Sequence, residues 1–176
     1  MHVHTHVMSG WIAGNLPDLT ARERFLCMAA AAAPDLDGLG ILVSRDLYEG
    51  WHHVLGHNLP FGLVLSLALA VRSARRGRAF LVYLACFHLH LVMDYWGSGA
   101  DWGIHYFWPF SEGICRSANA WELYSWQNTL AGSLCAAWML RIIYVTGRTP
   151  LEWPCPALDP KVTAAVRSLW GRLGRG

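Results

Sequence analysis

Charge is scarce in this chain. Only 15% of its 176 residues are Asp, Glu, Lys or Arg, and the net charge is +2. So small an imbalance gives no global signal for nucleic-acid binding. The five cysteines, Cys27, Cys86, Cys115, Cys135 and Cys155, are odd in number and contain no CxxC pair. That argues against both a thiolate zinc site and a disulfide framework. There is no internal repeat, and no low-complexity stretch beyond the alanine run 29–33. Met1 to His6 lacks the cationic and apolar regions of a signal peptide, so entry into a membrane is expected through internal helices. Ser44, Ser98 and Ser111 lie in no nucleophile-elbow motif, which disfavours a serine triad.

What the chain has instead is grease and histidine. Hydrophobic residues reach 54%, with ten tryptophans and nine histidines, and mean hydropathy is +0.26. The length suits one domain. We read residues 1–150 as a helical body and 151–176 as a basic amphipathic tail. Thr20 and Glu23 form a capping-box pattern for a helix from Ala21 to about Ala33, which Pro34 ends before a loop to about Gly50. Three apolar runs follow, from His52 or His53 to Val71, from Ala79 to Trp96, and from Trp126 to Val145. At 18 to 20 residues each, they sit near the lower limit for a membrane span. The expected fold is therefore an all-α bundle with short N-terminal helices and three long apolar ones. Val162, Ala165, Val166, Leu169, Trp170 and Leu173 line one side of the tail helix, while Arg167, Arg172 and Arg175 make the other side basic.

Charge placement favours the membrane over a soluble bundle. Arg72, Arg75, Arg76 and Arg78 lie in the turn between the first two runs, and Arg148 follows the third. Up-and-down threading puts them all at one face, which the positive-inside rule makes cytoplasmic.

The stretch Phe87-His88-Leu89-His90-Leu91-Val92-Met93-Asp94 carries the chemistry. His90 and Asp94 are one helical turn apart on one face. A charged, unpaired aspartate in so apolar a helix costs several kcal/mol, by order of magnitude. Either a buried polar network or a divalent metal must compensate it. The arginine turn makes a hairpin of the first two runs, which carries His52, His53 and His57 to the end where His90 and Asp94 lie. His53 and His57 share a face if the helix is continuous. His52 and His57 are about 140° apart on an ideal helix, so that pair requires His52 to precede it. His88 is out of phase with His90 and Asp94, and His105 stays open. Histidines and carboxylates without thiolates suit zinc, or manganese or iron, at a hydrolytic site. The number of donors allows one ion or two.

The order of short motifs resembles the LexA-regulated, membrane-bound metal-dependent hydrolase-like family. His6 with Gly10 looks like its N-terminal histidine-x-x-x-glycine, and Pro34-Asp35-Leu36-Asp37 resembles its Pro-Asp-hydrophobic-Asp. His52-His53-Val54-Leu55-Gly56-His57-Asn58 resembles its His-Arg-x-x-Thr-His-Ser. His90 to Asp94 matches its His-x-x-x-Asp, and Trp108-Pro109-Phe110-Ser111 the Trp-Pro-Phe-Ser that follows. The resemblance implies an inner-membrane helical protein with metal ligands His6, Asp35, Asp37, His52, His57, His90 and Asp94. It selects His52 over His53. His53, Gly56 and Asn58 depart from the family's arginine, threonine and serine, and losing the arginine removes a fixed cation for a phosphate. A looser likeness to helical zinc phospholipase C and nuclease enzymes suggests a phosphoester.

The leading expectation is a metal-dependent hydrolase in which a metal-activated water attacks an ester or phosphoester, in a small molecule or a membrane lipid. Asp35 or Asp37 would act as general base where not a ligand. The site would face away from the cytoplasm. The alternative is a non-catalytic metal-binding membrane protein in a stress response or partner scaffold. A haem protein explains His57 and His90 but leaves the aspartates unexplained.

Overall fold

The computed structural model describes residues 1–16 and 18–173. Pro17, and Arg175 and the Leu173 side chain on the tail helix, lie outside the described residues. Among these residues the chain is all-helical: α1 (Val3–Gly14), α2 (Ala21–Ala32), a 3-10 helix (Ala33–Leu42), α3 (Arg45–Trp51), α4 (Leu59–Ala70), α5 (Arg76–Gly97), α6 (Trp126–Thr146) and α7 (Asp159–Leu173).

Local signals explain most of the boundaries. The Glu23 N–H donates to Thr20 Oγ1, and the Thr20 N–H donates back to Glu23 Oε2, so the predicted capping box starts α2. Past Ala32 the chain does not loop out. It tightens into the 3-10 helix, with Pro34 near its start. The run expected from His52 to Val71 also differs. Asn58 caps α4 by accepting from the Phe61 N–H, and Pro60 suits the first turn, so the helix begins at Leu59. His52 and His53 stay in the preceding turn. His53 has φ of 66°, a left-handed backbone that a helix cannot accommodate.

This changes which segments are long enough to cross a bilayer. α4 has 12 residues, about 18 Å of helix, short of the ~30 Å hydrocarbon core. Among the described residues the three long apolar segments are Ala21–Leu42, Arg76–Gly97 and Trp126–Thr146. Only 11% of the apolar window of α6 is buried, and Leu130, Leu134, Trp138 and Val145 are exposed along it. In water such a stripe is unfavourable by ~25 cal/mol per Å²; against lipid tails it is not.

α5 is the central post, packed against α1, α2 and α4. Tyr83 and Cys86 are fully enclosed there with Cys27 and Ala30 of α2, and Phe87 with Leu91 and Ile104 on the side that meets Phe61 and Leu65 of α4. Small residues bring α1 in close: a Cβ on Gly10 would stand 2.6 Å from both the Cys27 carbonyl oxygen and Ala31 Cβ. Buried Arg24 of α2 pairs with Glu152, just after α6, and Arg22 Nη1 donates to the Arg72 carbonyl. The arginine turn, the start of α2 and the end of α6 therefore lie at one end of the bundle. The histidines lie at the other.

Candidate metal centre

Asp94 is 1% exposed and is the hub of the histidine end. Its Oδ2 lies 2.8 Å from His90 Nε2, 3.3 Å from His57 Nε2 and 3.9 Å from His53 Nε2. Its Oδ1 lies 3.1 Å from His6 Nε2 and accepts from Ser98 Oγ and the Met1 nitrogen. His90 Nε2 is also 3.8 Å from Asp35 Oδ1. The hairpin expectation holds: α4 and α5 run antiparallel, and the turn before α4 delivers its histidines to the last turns of α5.

The far sides of these rings are pinned. His90 Nδ1 lies 2.7 Å from the Ala31 carbonyl, an acceptor, so that nitrogen carries the proton. His57 Nδ1 lies 2.9 Å from Asp37 Oδ2, and His52 Nδ1 lies 2.8 Å from Asp37 Oδ1. The Gly56 N–H donates to Asp37 Oδ2 as well. With both Nδ1 atoms protonated, the Nε2 atoms of His57 and His90 meet at 3.0 Å beside a carboxylate. Lone pairs then face lone pairs. The arrangement needs a cation or an extra proton between them.

In the metal-free protein a proton serves. Burial opposes charge on His57, but its hydrogen bonds with Asp37 and Asp94 outweigh that and hold its pKa up at about 9. Burial, then the neighbouring His57, pushes His53 well below its ordinary value. Burial also lowers His6, against the pull of Asp94. His6 Nδ1 and Asp35 Oδ2 are buried without a hydrogen-bond partner.

A divalent ion fits this donor set. His6, Asp35, His90 and Asp94 offer ligand atoms within 4.8 Å of one another, as do His52, His53 and His57. All seven residues expected from the family motifs converge here. His53 converges too, stacked on His57 at 4.3 Å between ring centroids, so both members of the His52–His53 pair stand at the site. His88 does not: its ring lies against the Leu84 carbonyl and Tyr106 hydroxyl. His105 contributes its backbone N–H to the His53 carbonyl. Sequence reasoning missed Ser98, one turn past Asp94 and readable by its i+4 spacing. It also missed the Ala31 carbonyl, which no side-chain pattern reveals. Above the cluster lies a cavity of about 540 Å³ walled by Tyr48, His52, His53, Trp102, Glu122 and Tyr124.

The three departures from the family motif have different weights. Asn58 acts as a helix cap, a role serine also fills. Gly56 packs against the chain: a Cβ there would lie 2.3 Å from the Pro34 carbonyl oxygen. Only His53, in the arginine position, alters what lines the site.

Fold and site together define a helical membrane protein with a buried histidine–aspartate cluster. The sequence model of the YdjM inner membrane protein family matches residues 1–156. The chain belongs to that family. No curated protein and no solved structure matches.

Proposed function

We propose that the cluster is the divalent-metal centre of a membrane-embedded hydrolase acting on an ester or phosphoester. One observation carries this reading. The Nε2 atoms of His57 and His90 converge on Asp94 while their Nδ1 atoms are held elsewhere. In this reading His6, His57, His90 and Asp94 hold the ion, and Asp35 stands beside it as a non-ligand, its Oδ1 3.8 Å from His90 Nε2. His52 and His53 stand where a second would bind. Zinc suits the donors best, with manganese or iron also compatible. The ion would supply Lewis acidity toward a water and an ester oxygen.

The chain's own residues do the rest. Asp37, engaged by His52, His57 and the Gly56 N–H, orients two imidazoles and fixes their tautomers. Asp35, with one oxygen unpartnered, is placed to take a proton as general base. Tyr48 and Trp102 pack edge to face at 5.5 Å and wall the cavity through which substrate would approach. By the positive-inside rule this end faces away from the cytoplasm.

The second reading is a metal-binding protein without catalysis. The imidazole of His53 in place of a guanidinium favours it, because a phosphoester loses its fixed cation.

The test is metal content by elemental analysis after detergent purification, followed by hydrolysis of bis-p-nitrophenyl phosphate and p-nitrophenyl esters. Stoichiometric metal, absent from His57→Ala/Asp94→Ala, with metal-dependent turnover, supports the hydrolase. Metal without turnover selects the second reading. Folded protein that takes up no metal on reconstitution overturns both.

A further inference from the structure

The end of the bundle opposite the histidines holds a second cavity, of about 440 Å³, between the start of α2 and the α4–α5 turn. Its walls include Arg22, Arg72, Arg75 and Arg78, with Asp18 and Glu23 as the only carboxylates among the described lining residues. Glu23 is committed to the capping box with Thr20, and Asp18 is exposed to solvent. Among the described residues no carboxylate pairs with Arg72, Arg75 or Arg78; the arginine ion pairs present are Arg24–Glu152 and Arg45–Glu49. Arginines that serve only to stabilise a fold are normally paired or stacked. Arg72, Arg75 and Arg78 are clustered, have no carboxylate partner among the described residues, and line one recess.

The backbone adds to the same field. α5 starts at the recess with no side chain capping its first N–H groups. α2 also begins there, but its start is closed by the Thr20–Glu23 capping box, so the open positive end is that of α5. An anion would satisfy donors that the protein leaves open.

The position selects the kind of anion. α5 is 22 residues long, so the recess lies about 24 Å from Asp94 along the helix axis, at the depth where a span meets the headgroups. The same end of the α4–α5 hairpin carries an apolar groove of about 330 Å³ formed by Leu67, Ala70, Val71, Gly77 and Phe80, with Arg76 at its edge. Leu67 and Val71 are 62% and 53% exposed. A cluster of guanidinium groups beside an exposed aliphatic groove matches a phosphate joined to acyl chains.

We propose that this recess binds the phosphate of an anionic phospholipid, with its acyl chains along the α4–α5 groove. Arginine suits phosphate through its planar, bidentate fork. Such basic pockets between spans are a known way for membrane proteins to hold anionic headgroups. The inference rests on membrane residence and not on the hydrolase reading, so metal content reports on that reading separately.

The test uses full-length, delipidated protein in detergent, titrated with phosphatidylglycerol or phosphatidylcholine and read by native mass spectrometry. Phosphatidylglycerol is expected to bind at one saturable site at least tenfold tighter than phosphatidylcholine. Arg75→Gln, at an exposed and unpaired position, should weaken it roughly fivefold, and Arg72→Gln/Arg75→Gln/Arg78→Gln on the order of a hundredfold. Arg148→Gln/Arg172→Gln, which removes basic residues outside the recess, should leave it unchanged. Equal binding of the two lipids overturns the proposal. So does undiminished binding by both recess variants, or equal loss in the control. Millimolar inorganic phosphate should not displace the lipid; full displacement would make the recess a site for a soluble phosphate and overturn the lipid assignment. Should the triple variant misfold, the single variant carries the comparison.

Discussion

His57 and His90 face each other Nε2 to Nε2 at 3.0 Å, and the other nitrogen of each ring is already held. Neither ring can turn to relieve the contact without breaking a buried hydrogen bond. Two imidazoles fixed in this way are matched to something positive between them.

The proton on His57 must leave when a metal arrives. Its pKa of about 9 in the metal-free protein means that zinc uptake at pH 7 should release a proton. Affinity should then rise with pH, by up to about tenfold per unit, and level off near pH 9. Calorimetry in buffers of different ionisation enthalpy measures the release directly. Uptake with no proton release would show that His57 is not displaced.

The metal-free protein should be most stable near pH 6.5. His57 is raised from 6.5 to about 9, so its contribution is complete below 6.5 and is lost as pH climbs through 9. His53 is lowered, so the unfolded chain gains a proton below 6.5 that the native one refuses, and stability falls there. Melting temperatures in detergent from pH 5 to 9.5 should trace this maximum.

Asp37→Asn should weaken the site without abolishing it. The amide keeps the shape but cannot accept from both imidazoles and the Gly56 N–H as a carboxylate does. Loss of such an orienting partner typically costs about 10–100-fold in metal affinity. Asp94→Asn should remove binding. Equal effects of the two substitutions would put Asp37 among the direct ligands.

Gly10→Val should cost about 1–3 kcal/mol, because its Cβ would meet the Cys27 carbonyl at 2.6 Å. It should also lower metal content, since moving α1 away moves His6. Thermal melting and elemental analysis on one preparation test both effects.

Glu152→Ala leaves Arg24 buried and unpaired, which should destabilise by roughly 3 kcal/mol. Adding Arg24→Met should restore most of that loss. A double variant as unstable as the single one would show that Arg24 acts through packing.

The parts of the fold written in local chemistry were legible. The Thr20 capping box, the α5 span and the tail helix from Asp159 all follow from residues adjacent in sequence. So did the convergence of His57, His90 and Asp94, because an arginine-rich turn between two apolar runs leaves one antiparallel arrangement. The start of α4 was not. An apolar run from His52 to Val71 has helical composition throughout, and the cap at Asn58 with Pro60 outweighed it. The 3-10 helix was also hidden. Pro34 reads as the end of a helix and the start of a loop, yet packing of Gly38 against His52 and of Pro34 against Gly56 accompanies a helical course through residues 33–42. His52 against His53 could not be decided from spacing, since neither lies on a helix.

Pro34 has a consequence beyond ending α2. Carrying no N–H, it has nothing to donate to the Ala31 carbonyl three residues back. That carbonyl instead receives the Nδ1 proton of His90 on another helix. A donor missing from the backbone of one segment thus selects which nitrogen of a distant imidazole stays bare. The punctuation of the chain and the orientation of a fully buried histidine meet in the same residue.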